Sequence, residues 1–183
     1  MIEVRGFARR YGNLVVRIPD FTTRARVCLV KGANGSGKTT LFKALAGLTP
    51  HEGVASVCGR ALYVDEHPRF PDAMTPRAYL DVLGNLGAAH PRRVAWLIDA
   101  FHMQENLDKP FSALSKGMRQ KTHLIASLGE KWDAYLLDEP TSGLDEAAVA
   151  MLAKVIGERH ETYVIATHRG DAFEGVCEGV LSL

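Results

Sequence analysis

Long apolar runs are absent from this 183-residue chain. No stretch approaches the roughly 18 to 20 apolar residues that span a bilayer. The first residues, MIEVRGFARRYG, lack the apolar segment of a secretory leader. Any role at a membrane is then expected to depend on another chain as anchor. Cysteine is scarce: Cys28, Cys58 and Cys177 are an odd number, widely spaced, with no C-x-x-C pair. That favours reduced thiols in a cytosolic setting over a disulfide framework or a zinc site. An excess of one charge is missing too, because 22 basic against 21 acidic side chains leave +1. No broad field for polyanions follows, and nucleic acid is not an expected partner. Arg9-Arg10 and Arg92-Arg93 read as solvated pairs. Repeats and low-complexity tracts are also lacking. What remains is 46% hydrophobic residues, enough for the core of one domain or one domain with a small insertion.

Strand and helix patterns alternate along the chain. ARVCLVK (25–31) is a short apolar run ending at glycine, as a buried strand would be. Helical spacing follows over 39–48, with Leu41, Leu45 and Leu48 on one face. Residues 54–57 and 61–64 are short strands around Cys58-Gly59-Arg60. The three prolines of 68–76 predict a loop. Helices are expected at 77–86, 92–101, 116–128 and 146–159, and strands at 135–138, 163–167 and 180–183. No strand is assigned before residue 25. Strand-then-helix order predicts an α/β fold with a mainly parallel sheet flanked by helices, and the helical stretch 72–130 as an insertion.

GANGSGKT, Gly32 to Thr39, fits the G-x-x-x-x-G-K-[ST] phosphate loop, and it follows a strand and opens a helix. Glycines 32, 35 and 37 let successive N–H groups of Asn34, Gly35, Ser36 and Gly37 turn inward as an anion nest. The helix that begins near Lys38, running on through Thr39 and Thr40, adds its positive end. Lys38 can reach the β- and γ-phosphates of a nucleoside triphosphate, and the Thr39 hydroxyl is a hard ligand for Mg²⁺. The plain alternative is a glycine-rich turn matching by accident, which four fixed positions do in roughly one chain of this length in a hundred or fewer.

YLLDEP, residues 135–140, is a buried strand running into two carboxylates. Buried carboxylates need partners. Asp138 stands where such proteins hold Mg²⁺, and Glu139, one residue on, can polarise an attacking water as general base. A solvent-facing acid pair is the ordinary alternative.

GANGSGKTT, ALSKGMRQK, YLLDEPTSGLD and VIATH together resemble, in order and spacing, the nucleotide-binding domain of ABC transporters. The likeness covers nearly the whole chain. It implies a P-loop NTPase fold with an antiparallel β region and a helical insertion subdomain: a single domain over 1–183, its catalytic core about 1–71 and 131–183 and its helical subdomain about 72–130. It implies ATP and Mg²⁺, and a dimer in which Ser115 and the Gly117 backbone of one copy close over the γ-phosphate in the other. That explains FSALSKGMRQK (111–121), which has no chemistry of its own within one copy. Tyr11 resembles the aromatic that stacks on adenine. Ser142 to Asp145 resemble the loop that crosses the dimer interface. His168 resembles the switch histidine at the γ-phosphate.

Two departures stand out. The glutamine usual after the strand that follows the phosphate loop is missing from LYVDEHPRFPD; Glu66 matches its place best, with Asp65 as the alternative, and a carboxylate there could serve a metal or water. Lys116 stands where the commonest signature has glycine, and SKGM resembles an export-type branch whose separate membrane subunits carry the substrate path. Residues near 66–80, with Arg69, Phe70 and Met74, are expected to dock such a subunit at the cytoplasmic face of the membrane. That region is shorter than is usual, and little room for a regulatory domain follows His168. The partner copy can be identical or different. The rival expectations are a soluble ABC ATPase acting on DNA or ribosomes, and a module that senses ATP without turnover.

Overall fold

The structure, a computed structural model, describes residues 1–183 and divides into two compact units. The first comprises residues 1–65, 132–140 and 156–183; the second comprises 66–131 and 141–155.

The first unit carries two sheets. One is parallel, with strands β6 (Ala61–Val64), β7 (Ala134–Asp138), β8 (Thr162–Ala166), β4 (Val27–Lys31) and β9 (Gly179–Ser182) in that spatial order. β7 is buried along its whole length and β4 along all but its last residue, which is why both read as unbroken apolar runs. The other sheet is antiparallel: β1 (Ile2–Tyr11) pairs with β2 (Leu14–Arg17), β3 (Phe21–Thr23) and β5 (Glu52–Val57). The strand expected at 54–57 therefore belongs to a different sheet from 61–64.

Residues 2–23, to which the sequence pattern assigns no strand, supply three. For β1 the reason is a bulge. The β1–β5 register shifts between Arg5 and Ala8, and Gly6 takes φ +56° there. Ile2 and Val4 face the core on one parity, while the buried Phe7 follows on the other, so alternation breaks mid-strand.

Helix α1 (Lys38–Leu45) packs against β5 of one sheet and β6 and β7 of the other. Leu41, Phe42, Ala44 and Leu45 join Ile2, Val4, Phe7, Val30, Leu136 and Val164 in one buried cluster. The helix stops earlier than its leucine spacing predicts. Gly47 turns left-handed at φ +70°, Leu48 N–H donates back to Lys43 O at 2.8 Å, and Leu48 is exposed rather than on the apolar face.

The second unit holds helices α2 (Pro76–Asn85), α3 (Pro91–Ala100), α4 (Lys116–Gly129) and most of α5 (Glu146–Gly157). Their starts are chemically marked. Thr75 Oγ1 accepts from Ala78 N–H at 3.2 Å, Ser115 Oγ from Met118 N–H at 3.2 Å, and Asp145 Oδ1 from Ala148 N–H at 2.7 Å. Proline stands at the first position of α2 and α3. α4 packs on α2 and α3, and Leu97, Phe101, Met103, Phe111, Leu124 and Ile125 are buried. No helix is long and apolar enough to cross a membrane.

Candidate functional site

The loop from Gly32 to Gly37 leaves β4 and enters α1. Gly35 and Gly37 hold φ of +81° and +104°, which side chains other than hydrogen rarely allow. Gly37 is also tightly enclosed: a Cβ there would stand 2.7 Å from Val16 Cγ1. α1 has no side-chain cap at its start, which leaves its first N–H groups to water or a ligand. Ser36 Oγ is buried without a hydrogen-bond partner. Lys38 Nζ folds back over the loop, donating to Gly32 O at 2.8 Å and Ala33 O at 3.0 Å. A cation balanced on two carbonyls, beside uncapped amides and an orphaned hydroxyl, is a cradle suited to a polyphosphate. Asn34 is exposed on this loop.

Behind Lys38, Thr39 Oγ1 donates to Asp138 Oδ2 at 2.6 Å. Asp138 is only 5% exposed, at the end of β7. Glu139 follows with φ +45°, a left-handed backbone that costs a non-glycine residue energy. Its N–H donates to Ala166 O at 2.8 Å, fastening the exit of β7 to that of β8. This places Glu139 beside His168. The His168 N–H donates to Glu139 Oε2 at 3.2 Å, and His168 Nε2 lies 3.4 Å from Oε1. The carboxylate is 13% exposed and the imidazole 69%. Lys38, Gly32, Glu139 and His168 line one cavity of about 420 Å³.

Tyr11, at the end of β1, reaches the same helix: its hydroxyl lies 3.3 Å from Thr40 Oγ1. That hydrogen bond, and then Arg9, hold the phenol below its ordinary range. The Arg9 guanidinium stands 5.1 Å from the ring centroid and donates to Pro50 O at 2.6 Å. One face of the Tyr11 ring is thus stacked on a cation.

Ser115, exposed, and Gly117, half-buried, lie in the second unit at the start of α4. Glu66 also belongs to that unit, with His67 Nδ1 3.8 Å from its Oε1. Phe70 stacks on Phe111 at 4.1 Å and meets Tyr79 edge-on, so the loop near 66–80 spends its largest apolar side chain within its own unit. Arg69 is exposed and Met74 half-buried.

A family model described as ABC transporter matches residues 21–142, more than half of the chain. The chain belongs to that family. This ABC ATP-binding domain is 34% identical over 201 residues to the Nod factor export ATP-binding protein I of Burkholderia lata, a match covering 97% of this chain and 66% of that one. It spans 62% to 66% of the length of the curated relatives of that name. A solved ATP binding subunit of ABC transporter superposes with a TM-score of 0.84 at 25% identity, over 100% of this chain and 85% of that one. The archaeal ribosome recycling factor aABCE1, solved with ribosomal stalk protein aP1, gives 0.84 at 21% identity over 100% and 36%, a likeness of fold alone.

The fold class read from the sequence holds: a P-loop ABC ATPase fold with a parallel sheet, an antiparallel sheet and helices. Magnesium is implied by the family, and the donors present suit it. Thr39 Oγ1 and Asp138 Oδ2 are hard oxygens already brought together, while no cluster of three or more His, Cys, Asp or Glu is formed. Such a pair leaves most positions of an octahedral ion to phosphate and water, as Mg²⁺ prefers.

Two residues escaped the sequence reading. Tyr63 on β6 donates its hydroxyl to Asp138 Oδ2 at 3.1 Å, so one carboxylate oxygen serves two donors. Arg9 backs the Tyr11 ring. Neither stands at a motif's functional position, and only the pairing of β6 with β7 and the path of β1 bring them in.

Proposed function

We propose that this ABC domain binds ATP with Mg²⁺ and hydrolyses it as half of a dimer, energising export through separate membrane subunits. The observation that carries the reading is the cavity where Lys38, Glu139 and His168 meet beside an uncapped helix start. Lys38 exchanges its two carbonyl partners for phosphate oxygens, a charge-assisted bond in place of a neutral one. The loop amides and Ser36 Oγ meet the β-phosphate. Tyr11 offers its free ring face to adenine, the other being covered by Arg9.

Thr39 and Asp138 would hold Mg²⁺, which when bound neutralises charge on the β- and γ-oxygens. Glu139 takes a proton from a water aligned with the γ-phosphorus. The new P–O bond forms as the bond to the β-bridging oxygen breaks, giving ADP and phosphate. His168, held against Glu139, donates toward the γ-phosphate and keeps the carboxylate turned inward. The left-handed backbone at Glu139 aims its side chain into the cavity instead of along the strand.

The rest of the site comes from a second copy. Ser115 and the Gly117 amide, at the start of α4, present donors that find an acceptor in the γ-phosphate of the partner's nucleotide. Loss of that phosphate removes the shared contacts and loosens the pair. Ser142 to Asp145 form the crossing loop, Glu66 takes the place of the usual glutamine, and residues near 66–80 meet the membrane subunit at the cytoplasmic face. The whole 1–183 chain acts as one nucleotide-binding domain.

Phosphate release by the purified chain tests this directly. Specific activity is expected to rise with protein concentration and to vanish in Glu139→Gln. Release proportional to protein at every dilution, or undiminished in the variant, would refute it.

A further inference from the structure

Lys116, the residue that replaces the signature's usual glycine, is committed inside the second unit. Its Nζ donates to Ser142 Oγ at 2.8 Å. Its stem lies across Gly143, where an added Cβ would meet Lys116 Cγ at 3.1 Å and Cδ at 3.2 Å. Gly143 also needs to be glycine for its own backbone, at φ +76°. One residue further, Gly117 closes on the same loop: a Cβ there would stand 2.4 Å from Gly143 O. One turn on, Lys121 Nζ lies 3.1 Å from Asp145 Oδ2, while Asp145 Oδ1 caps α5. Three successive contacts therefore zip the first turns of α4 to residues 142–145.

We infer that Lys116 is a positioning residue, a latch that fixes the crossing loop to the signature turn through Ser142. The inference rests on the reading proposed above. With glycine at 116 the first turn of α4 would touch the loop only through backbone. The lysine adds a side-chain tether, and glycine at 143 leaves the room its stem fills. Only Pro140 and Thr141 separate Ser142 from Glu139 in the chain. A tether at Ser142 thus pins the chain just after Glu139 to the signature turn that serves the neighbouring copy. The ammonium is spent on Ser142, not on nucleotide.

Steady-state turnover of the full chain with Lys116→Met, Lys116→Arg, Ser142→Ala and the Lys116→Met/Ser142→Ala double variant tests the latch. Methionine keeps the stem and removes the charge. Each of Lys116→Met and Ser142→Ala is expected to lower kcat about threefold to tenfold, the range for one ordinary hydrogen bond in contact with solvent. The KM for ATP stays within about twofold, because neither side chain touches nucleotide. The double variant falls no further than the worse single one, and Lys116→Arg recovers at least about half of the lost rate, since guanidinium also reaches Ser142. Losses that multiply in the double variant overturn the latch. So does a raised KM in Lys116→Met that Ser142→Ala does not share, the mark of a lysine reading the partner's phosphate. If the wild-type chain shows no turnover, the proposed function fails separately. The same cycle in thermal unfolding then decides the latch: melting shifts smaller in combination than in sum support it, and additive shifts refute it.

Discussion

Replacing Glu139 by glycine and by alanine separates the chemistry at this position from its backbone. Both variants lose the carboxylate and with it the contact to the His168 N–H. They differ in how they bear φ +45°. A left-handed backbone costs a residue with a Cβ about 1–2 kcal/mol. Glycine escapes that cost but gives up about 0.5–1 kcal/mol through its greater freedom when unfolded. The balance favours glycine by about 1 kcal/mol. For a chain of this length that is a melting temperature about 2–4 °C above that of the alanine variant. Thermal unfolding without nucleotide, followed by circular dichroism, measures the difference. Turnover is expected to fall at least about a hundredfold in both, the scale of a lost general base. A glycine variant that melts at or below the alanine variant would refute the claim that this backbone is held under strain to aim the carboxylate.

Lys38→Ala removes the cation of the cradle and is expected to weaken ATP binding at least about a hundredfold by calorimetry, the worth of about two charge-assisted hydrogen bonds; unchanged affinity would remove the phosphate site. Asp145 is held below the usual carboxylate range by the Ala148 N–H and then by Lys121. Because its folded value is the lower one, the unfolded chain binds more protons as pH falls through about 4, so this stabilisation is present above that pH and lost below it. The melting gap between wild type and Asp145→Asn is therefore expected to narrow from about pH 5 to about pH 3, and a constant gap would contradict it. Burial pushes the Cys28 thiol up to about 11, while Cys58 is exposed. A thiol reagent at about pH 8 should label Cys58 in the folded chain and spare Cys28 until unfolding; fast labelling that survives Cys58→Ser and maps to Cys28 would contradict the burial.

What was legible in the sequence is what lies within a few residues along the chain. Gly32 to Thr39 carries its strand, loop and helix start in one stretch, and the Asp138-Glu139 pair ends a run too apolar to be anything but buried. The residues that tune these groups come from far away. Tyr63 reaches Asp138 only because β6 lies beside β7, and the partner of Lys116 stands at 142. The resemblance implied an antiparallel region, but its three strands before residue 25 were hidden from the pattern, since the bulge at Gly6 shifts the buried parity within β1, and β2 and β3 are too short to show a period. Leu48 misled because its spacing fits a helix that Gly47 has already ended.

Sedimentation of the Glu139→Gln chain with and without ATP and Mg²⁺ puts the shared site to its most direct test. With the nucleotide bound but uncleaved, a stable particle of two chains is expected, one that falls apart when the nucleotide is withdrawn. A single chain that holds ATP and never pairs would contradict it.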